Sequence, residues 1–174
     1  MILIVSSSLN SDSNSRILAH EAQRILEHDG HPVTMLDLRD HPLPLCDGGS
    51  AYAHPNVAPV LALLHAASTI LVATPIYNYD GSGALKNLIE LTGTAWEDKV
   101  VGFLCAAAGM SSYMSIMPLA NSLMLDFRSL ILPRFVYATG SAFSGDRITD
   151  PKISQRVAGL ARAAAKLDRQ LKAA

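Results

Sequence analysis

Thr69-Ile70-Leu71-Val72-Ala73-Thr74-Pro75-Ile76-Tyr77-Asn78-Tyr79-Asp80-Gly81-Ser82-Gly83-Ala84-Leu85-Lys86-Asn87 holds the end of one element and the start of the next, and its reading decides the fold. Residues 69–73 are an apolar run too short for a helix, which reads as a strand at the centre of a covered parallel sheet. Pro75 is expected to end it, because proline cannot donate to a sheet ladder. Gly81 and Gly83 are expected to supply backbone angles or close approaches that side chains forbid. Residues 85–91 then read as a helix. A strand that passes through a polar, aromatic turn into a helix is suited to hold a ligand, with backbone amides and a ring together at its carboxyl end.

The same alternation runs outward in both directions. Residues 2–5 read as a first strand, 33–38 as a second and 99–107 as a fourth, while 130–138 contain a fifth that is expected to begin after Pro133. Leu18, Ala22, Ile25 and Leu26 mark one face of a helix from Asn14 to a stop at Gly30. Residues 57–67 form a short helix. Met117, Ala120, Met124 and Phe127 mark another, which Pro118 makes either start near Ser115 or kink, with Met114, Met117 and Met124 expected to pack it. The last helix has Asp150 as cap, Pro151 in its first turn, and Ile153, Val157, Leu160, Ala164, Leu167 and Leu171 on one stripe. Residues 39–56, with Pro42, Pro44, Gly48, Gly49 and Pro55, form a loop long enough to be functional or mobile.

Five strands alternating with five helices predict an α/β fold with helices on both faces of a parallel sheet. Right-handed crossovers leave the doubly wound order 2-1-3-4-5 as the natural topology. Its switch point falls between strands one and three. The loops after strands one, three and four are therefore expected to share one crevice.

Composition narrows the function. The 174 residues are 49% apolar and 17% charged, with a formal net charge of −1, which suits one domain over residues 1–174. Nucleic acid is not expected as a partner, since no basic stripe exists to neutralise several phosphates. No run approaches a bilayer span and the apolar start is too short for a signal sequence, so the expected compartment is the cytoplasm. Cys46 and Cys105 give neither a disulfide framework nor finger spacing. The six histidines, His20, His28, His31, His41, His54 and His65, are scattered without metal-site spacing, and no metal is expected.

Residues 6–15 carry six serines and two asparagines directly before a helix. Unpaired amides and the helix dipole favour an anion there. The dinucleotide fingerprint and the triphosphate loop ending in Gly-Lys-Ser/Thr are both absent, so a monophosphate held by hydroxyls and amides is the functional reading. A serine-rich turn with an ordinary helix cap is the other.

At this point the chain resembles the NAD(P)H-dependent FMN reductase family of flavodoxin-like proteins. Ser7, Ser8, Asn10, Ser13 and Ser15 match its first-loop motif. Thr74, Pro75, Tyr77, Asn78, Gly83, Leu85, Lys86 and Asn87 match its third-strand motif, which is the specific one. The segment from Ala107 through Ala108, Gly109, Met110 and Ser111 to Ser112 is similar to its turn after strand four, and Leu43-Pro44-Leu45 to a short motif after strand two. Asn10 stands where the family usually has arginine, Ile76 where it usually has glutamate, and Ala108 where glycine is common. The first change leaves hydroxyls, amides and Arg16 to hold a phosphate; the second removes a carboxylate from the mouth of the site.

The resemblance implies a flavodoxin-like domain in which Ser8, Asn10, Ser13, Asn14 and Ser15 contact the FMN phosphate. Pro75, Ile76, Tyr77, Asn78, Ala107, Ala108 and Gly109 then line the flavin ring. Amides of Ile76, Tyr77 and Asn78 supply donors to the ring's edge, and the flavin carries the chemistry, with no catalytic side chain required. The implied activity is an oxidoreductase passing a hydride from NADPH or NADH through FMN to a quinone, free flavin, azo compound or metal oxyanion. A flavodoxin-like electron carrier, or a flavin-binding protein without NAD(P)H turnover, is the alternative, and near-neutral charge weighs against an acidic carrier. A homodimer or homotetramer is implied as well. Tyr77 also reads as a strand end packing on a neighbour, and Lys86 and Asn87 as a solvated helix start or subunit contact rather than flavin ligands.

Overall fold

A computed structural model describes residues 1–173. In chain order the elements are β1 (Ile2–Ser6), α1 (Asn14–His28), β2 (Val33–Asp37), α2 (Val57–Ala66), β3 (Thr69–Tyr77), β4 (Asp80–Gly81), α3 (Gly83–Thr92), β5 (Val100–Ala107), α4 (Met117–Phe127), β6 (Leu130–Ile131), β7 (Val136–Thr139), β8 (Phe143–Ser144), β9 (Arg147–Ile148) and α5 (Pro151–Ala173). The main sheet runs β2-β1-β3-β5-β6, with β7 also on β5 and β4 on β3. Every long pairing is parallel, so the expected order holds with β5 as the fourth strand.

The fifth position is filled by two pieces rather than one strand entered after Pro133. Leu130 and Ile131 pair with Val100 and Val101, and the chain leaves the ladder before Val136 pairs with Leu104. Pro133 lacks an amide and Arg134 takes a left-handed φ of 59°, so neither can continue a ladder. β3 departs from expectation in the opposite sense. It passes through Pro75, which sits opposite Ala106, and ends only at Tyr77. The Ala73 carbonyl accepts from Ser7, so Pro75, two residues on, turns its backbone toward β1, whose pairing has already ended at Ser6. The amide that Pro75 lacks would have lain at the end of the β1 ladder and not in that of β5.

Alternate side chains on the buried strands enter two apolar clusters. Leu3, Val5, Ile70 and Val72 face α2, α3 and α4; Ile2, Ile4, Leu71 and Ala73 face α1 and α5. Each fully buried aliphatic side chain is worth about 1.5–3 kcal/mol. Gly102 is small because neighbouring side chains close over it: a Cβ would lie 2.9 Å from Leu71 Cδ2 and 3.1 Å from Leu132 Cδ1. On α4 the buried residues are Leu119, Ala120 and Leu123, whereas Met114, Met117 and Met124 are exposed. The helix begins at Met117 with Pro118 in its first turn, and its buried stripe runs through Leu119, Ala120 and Leu123, which leaves Met117 and Met124 off the core face; Met114 lies before it.

Candidate functional site

The register sets the carboxyl ends of β1, β3 and β5 side by side, Ser6 opposite Ala73 and Pro75 opposite Ala106. Three loops leave from there. The first is built around Arg16, whose buried guanidinium donates from Nε to Asp37 Oδ2 at 2.7 Å. Its Nη1 donates to the carbonyls of Asn10 at 2.7 Å and Ser11 at 3.1 Å, and Nη2 to that of Ser8 at 2.6 Å. A trans, planar peptide unit points its C=O and the next N–H in opposite directions. Drawing the Ser8 and Asn10 carbonyls inward therefore turns the amides of Leu9 and Ser11 outward. Asn14 and Ser15 open α1, where first-turn amides have no intrahelical acceptor. The loop thus presents donors at the positive end of a helix dipole.

Arg16 is not available to an anion, contrary to expectation: its charge is answered by Asp37 and its donors by the loop. Burial pushes the Asp37 carboxyl upward, but hydrogen bonds from Arg39 and Arg16 outweigh that and hold it below its ordinary value. Of the expected phosphate contacts, Ser13 caps α1 by accepting from the Arg16 amide at 3.3 Å, and its hydroxyl lies 2.9 Å from that of buried Ser15. Ser8 Oγ accepts from the Asn10 amide, and Asn10 Oδ1 from that of Asp12.

The second loop is a two-residue hairpin between β3 and β4, closed by Tyr77 opposite Asp80. Asn78 and Tyr79 take φ values of 50° and 65°, the pair of left-handed residues that such a turn demands. Gly81 and Gly83 do not have the role expected of them. Neither has a positive φ, and a Cβ on Gly83 would meet nothing within 4 Å. Ile76 is not at the mouth of the site. Its side chain is only 8% exposed and joins the apolar cluster of Leu85, Ile116 and Leu119, where a carboxylate would lose its hydration without compensation. The Tyr77 ring, 54% exposed, and Asn78 do face solvent, so Tyr77 does not finish the strand by packing inward.

Below this hairpin a buried node joins the first two loops. Ser82 caps α3, accepting from the Leu85 amide at 3.3 Å, and its amide donates to Thr74 Oγ1 at 3.1 Å. Its hydroxyl lies 3.0 Å from that of Ser7, which also reaches the Ala73 carbonyl. The third loop, in which Ala107 is half-buried and Ala108 and Gly109 are exposed, is tied down by Tyr137. That phenol donates to the Gly109 carbonyl and lies 2.7 Å from Ser112 Oγ. Ser7, Ser82, Thr74 and Tyr137 were not among the expected site residues. Ser82 carried a usable signal, a serine just before a glycine-led helix start; Tyr137 carried none in its neighbourhood.

Two hollows flank the first loop. One of about 530 Å³ lies between Leu9, the segment of residues 38–45 and the start of α3; the other, about 730 Å³, is bordered by Ser13, Asn14, Arg16 and Asp146. Neither is lined by residues 75–78 or 107–109. Asn87 shapes the first hollow. Its Nδ2 donates to the Pro44 carbonyl and its Oδ1 accepts from the Cys46 amide, both at 2.8 Å. It is a half-buried clamp on the long loop, whereas Lys86 is exposed and pairs with Glu90 at 2.7 Å. Asp47 orders the same loop by accepting from Ser50, Ala51 and Gly49, which holds its carboxyl at about 2. Cys105 is fully buried, which pushes its thiol far up.

The family model for NADPH-dependent FMN reductase matches residues 1–144, a span that includes all three loops. The chain belongs to this family. NADPH-dependent FMN reductases are oxidoreductases that use FMN with a reduced nicotinamide nucleotide as reductant. An NAD(P)H-dependent FAD/FMN reductase of Geobacillus thermodenitrificans is 31% identical over 132 residues, 74% of this chain and 71% of that one. An FMN-dependent NADH:quinone oxidoreductase of Shewanella loihica is 34% identical over 109 residues, 54% of this chain and 55% of that one. The solved FerB flavoenzyme, an NAD(P)H:(acceptor) oxidoreductase of Paracoccus denitrificans, superimposes with a TM-score of 0.79 at 19% identity, covering 97% of each chain. This last likeness, at 19% identity, speaks for the fold alone. Among the described residues no helix is long and apolar enough to cross a membrane, and no three or more His, Cys, Asp or Glu side chains group as metal ligands.

Proposed function

We propose that residues 1–174 form one FMN-binding domain that carries a hydride from NADPH or NADH to a small acceptor. The acceptor classes are a quinone, a free flavin, an azo compound or a metal oxyanion. The observation that carries the reading is the Arg16-centred first loop beside the exposed edge of Tyr77 and Asn78. The donor set suits FMN: a phosphate monoester is met by hydroxyls and outward amides, a flat ring by an aromatic wall and backbone donors. Bound FMN would supply the two-electron chemistry, accepting hydride from the nicotinamide and passing it on.

The phosphate end is assigned to Ser8, Asn10, Ser13, Asn14 and Ser15, the last through its first-turn amide because its hydroxyl is buried. The ring end is assigned to Pro75, Ile76, Tyr77, Asn78, Ala107, Ala108 and Gly109, with Pro75 and Ile76 acting through backbone only. The names of the relatives from Geobacillus thermodenitrificans and Shewanella loihica support flavin or quinone acceptors. A homodimer or homotetramer would complete the open crevice, and light scattering that found only monomer at working concentration would remove that part. The central test is anaerobic mixing of the FMN-loaded protein with NADPH or NADH. Bleaching of the flavin's visible band by either is expected; a flavin that neither reduces sinks the reductase reading and leaves the electron carrier.

A further inference from the structure

A groove of about 750 Å³ runs along the outer edge of the sheet, between the break that separates β6 from β7 and the amino-terminal half of α5. Its floor is apolar, with Leu132 and Leu160, and its rim carries Arg134, Lys152 and Arg156 without any acid. Three local costs converge here, and packing explains none of them. Lys152 and Arg156 are a like-charge pair one helical turn apart, a spacing that weakens a helix. Arg134 holds a left-handed φ of 59°, unfavourable for a residue with a Cβ. Gly159 sits in the helix interior, where glycine is disfavoured, yet a Cβ there would meet nothing within 4 Å.

Nor are the charges answered. Among the described residues no carboxylate pairs with Arg134, Lys152 or Arg156. Arg156 makes one long contact, 3.4 Å to the Phe135 carbonyl, and the acid nearest in sequence, Asp150, is engaged by the Lys152 backbone amide at 2.8 Å. We propose that this groove binds a small organic anion with an apolar body, an aryl or acyl group ending in a carboxylate, sulfonate or phosphate. Its charged end lies among the three cations and its apolar part crosses Leu132 and Leu160 in the space that Gly159 leaves open. The volume is that of a small-molecule site. Three cations confined to one groove, on a chain of net charge −1, favour a compact anion over nucleic acid, which needs an extended basic track.

The proposal is independent of the flavin reading. The helical wall of the groove lies beyond residues 1–144 that match the family, and Leu132 sits against the amino-terminal end of β5, donating to the Val101 carbonyl at 2.8 Å. The test is calorimetric titration of the full chain loaded with one equivalent of FMN and freed of excess, using 1-anilinonaphthalene-8-sulfonate as the aryl probe and sodium decanoate as the acyl probe. One-to-one, salt-sensitive binding of at least one probe is expected, and which of them binds tells aryl from acyl. The Arg134→Ala/Arg156→Ala double variant should weaken it at least about tenfold. Gly159→Leu keeps all three charges and fills the groove; it should weaken binding at least about tenfold without lowering the thermal midpoint. Absence of binding by both probes overturns the proposal, as does an affinity within about twofold of the parent in either variant. Reduction of FMN by NADPH should be the same in all three proteins, so a failure here is separate from a failure of the reductase reading.

Discussion

The hydroxyl oxygens of Ser7 and Ser82 lie 3.0 Å apart although 75 residues separate them in the chain. Ser82 is at once the cap of α3, the partner of Thr74 and the floor of the first loop. Ser82→Ala removes the hydroxyl that caps the Leu85 amide and meets Ser7, while its backbone amide still donates to Thr74. A loss of about 1–2 kcal/mol is expected from the cap alone, read as a lower urea midpoint with unchanged slope, together with weaker FMN binding by fluorescence titration. Unchanged FMN affinity in a folded variant would show that the node supports the fold but not the site.

Arg16→Ala leaves Asp37 to Arg39 alone and frees three loop carbonyls. Breaking a buried pair costs about 3–5 kcal/mol when the charge left behind has no other partner; Arg39 still answers Asp37, so a smaller loss is expected. Arg16→Lys keeps the charge but not the fork of donors, and is expected to recover less than half of the loss. Chemical denaturation of the three proteins checks both statements.

Acid should unfold the protein through identifiable carboxylates. Asp47 is held at about 2 by the Ser50 hydroxyl and the Ala51 and Gly49 amides, and Asp29 at about 2 by Arg162 and His28; Asp37 is lowered as well. Groups whose folded pKa lies below the unfolded value of about 3.9 stabilise the fold above that pH, and the contribution disappears as pH falls toward about 2. The urea midpoint is expected to be flat above about pH 5 and to fall below about pH 4. Asp47→Asn should flatten part of that fall, and a variant with the parent's full acid slope would refute the assignment.

Asn87→Ala should loosen the loop of residues 39–56 without disturbing the sheet. Two hydrogen bonds are lost, at a cost of about 1–2 kcal/mol. Faster amide exchange at Cys46 and easier proteolytic nicking within the loop are expected. Exchange that stays as slow as in the parent would mean that the Asp47 turn alone holds it.

The strand and helix alternation, the sheet order and the convergence of three loops were legible because each rests on a pattern carried by many residues, such as Ile70, Leu71 and Val72 in β3 or Val157, Leu160 and Ala164 in α5. The finer geometry was not. Pro75 was misread because its consequence depends on which neighbouring strand its backbone faces, a fact set by where β1 ends. Arg16 looked available in sequence, but its donors are consumed by carbonyls a few residues upstream and by Asp37 on another strand. Ile76 and the α4 methionines went wrong for a related reason: a one-residue change of phase exchanges core for solvent, and local pattern does not fix phase near a turn or a proline. Asn87 acts across 41 and 43 residues of chain, which no periodicity reports.

The hairpin at Asn78 and Tyr79 has a consequence for anyone who would harden this protein. Asn-Gly is the pair that such a turn favours, and the chain supplies the asparagine but then places a tyrosine where glycine would rest without strain. The Tyr79 ring is 63% exposed, so little burial compensates for that backbone. Tyr79→Gly is thus the simplest route to a sturdier turn, and the ring it discards stands beside the edge assigned to the cofactor. Robustness and use pull against each other at this one residue.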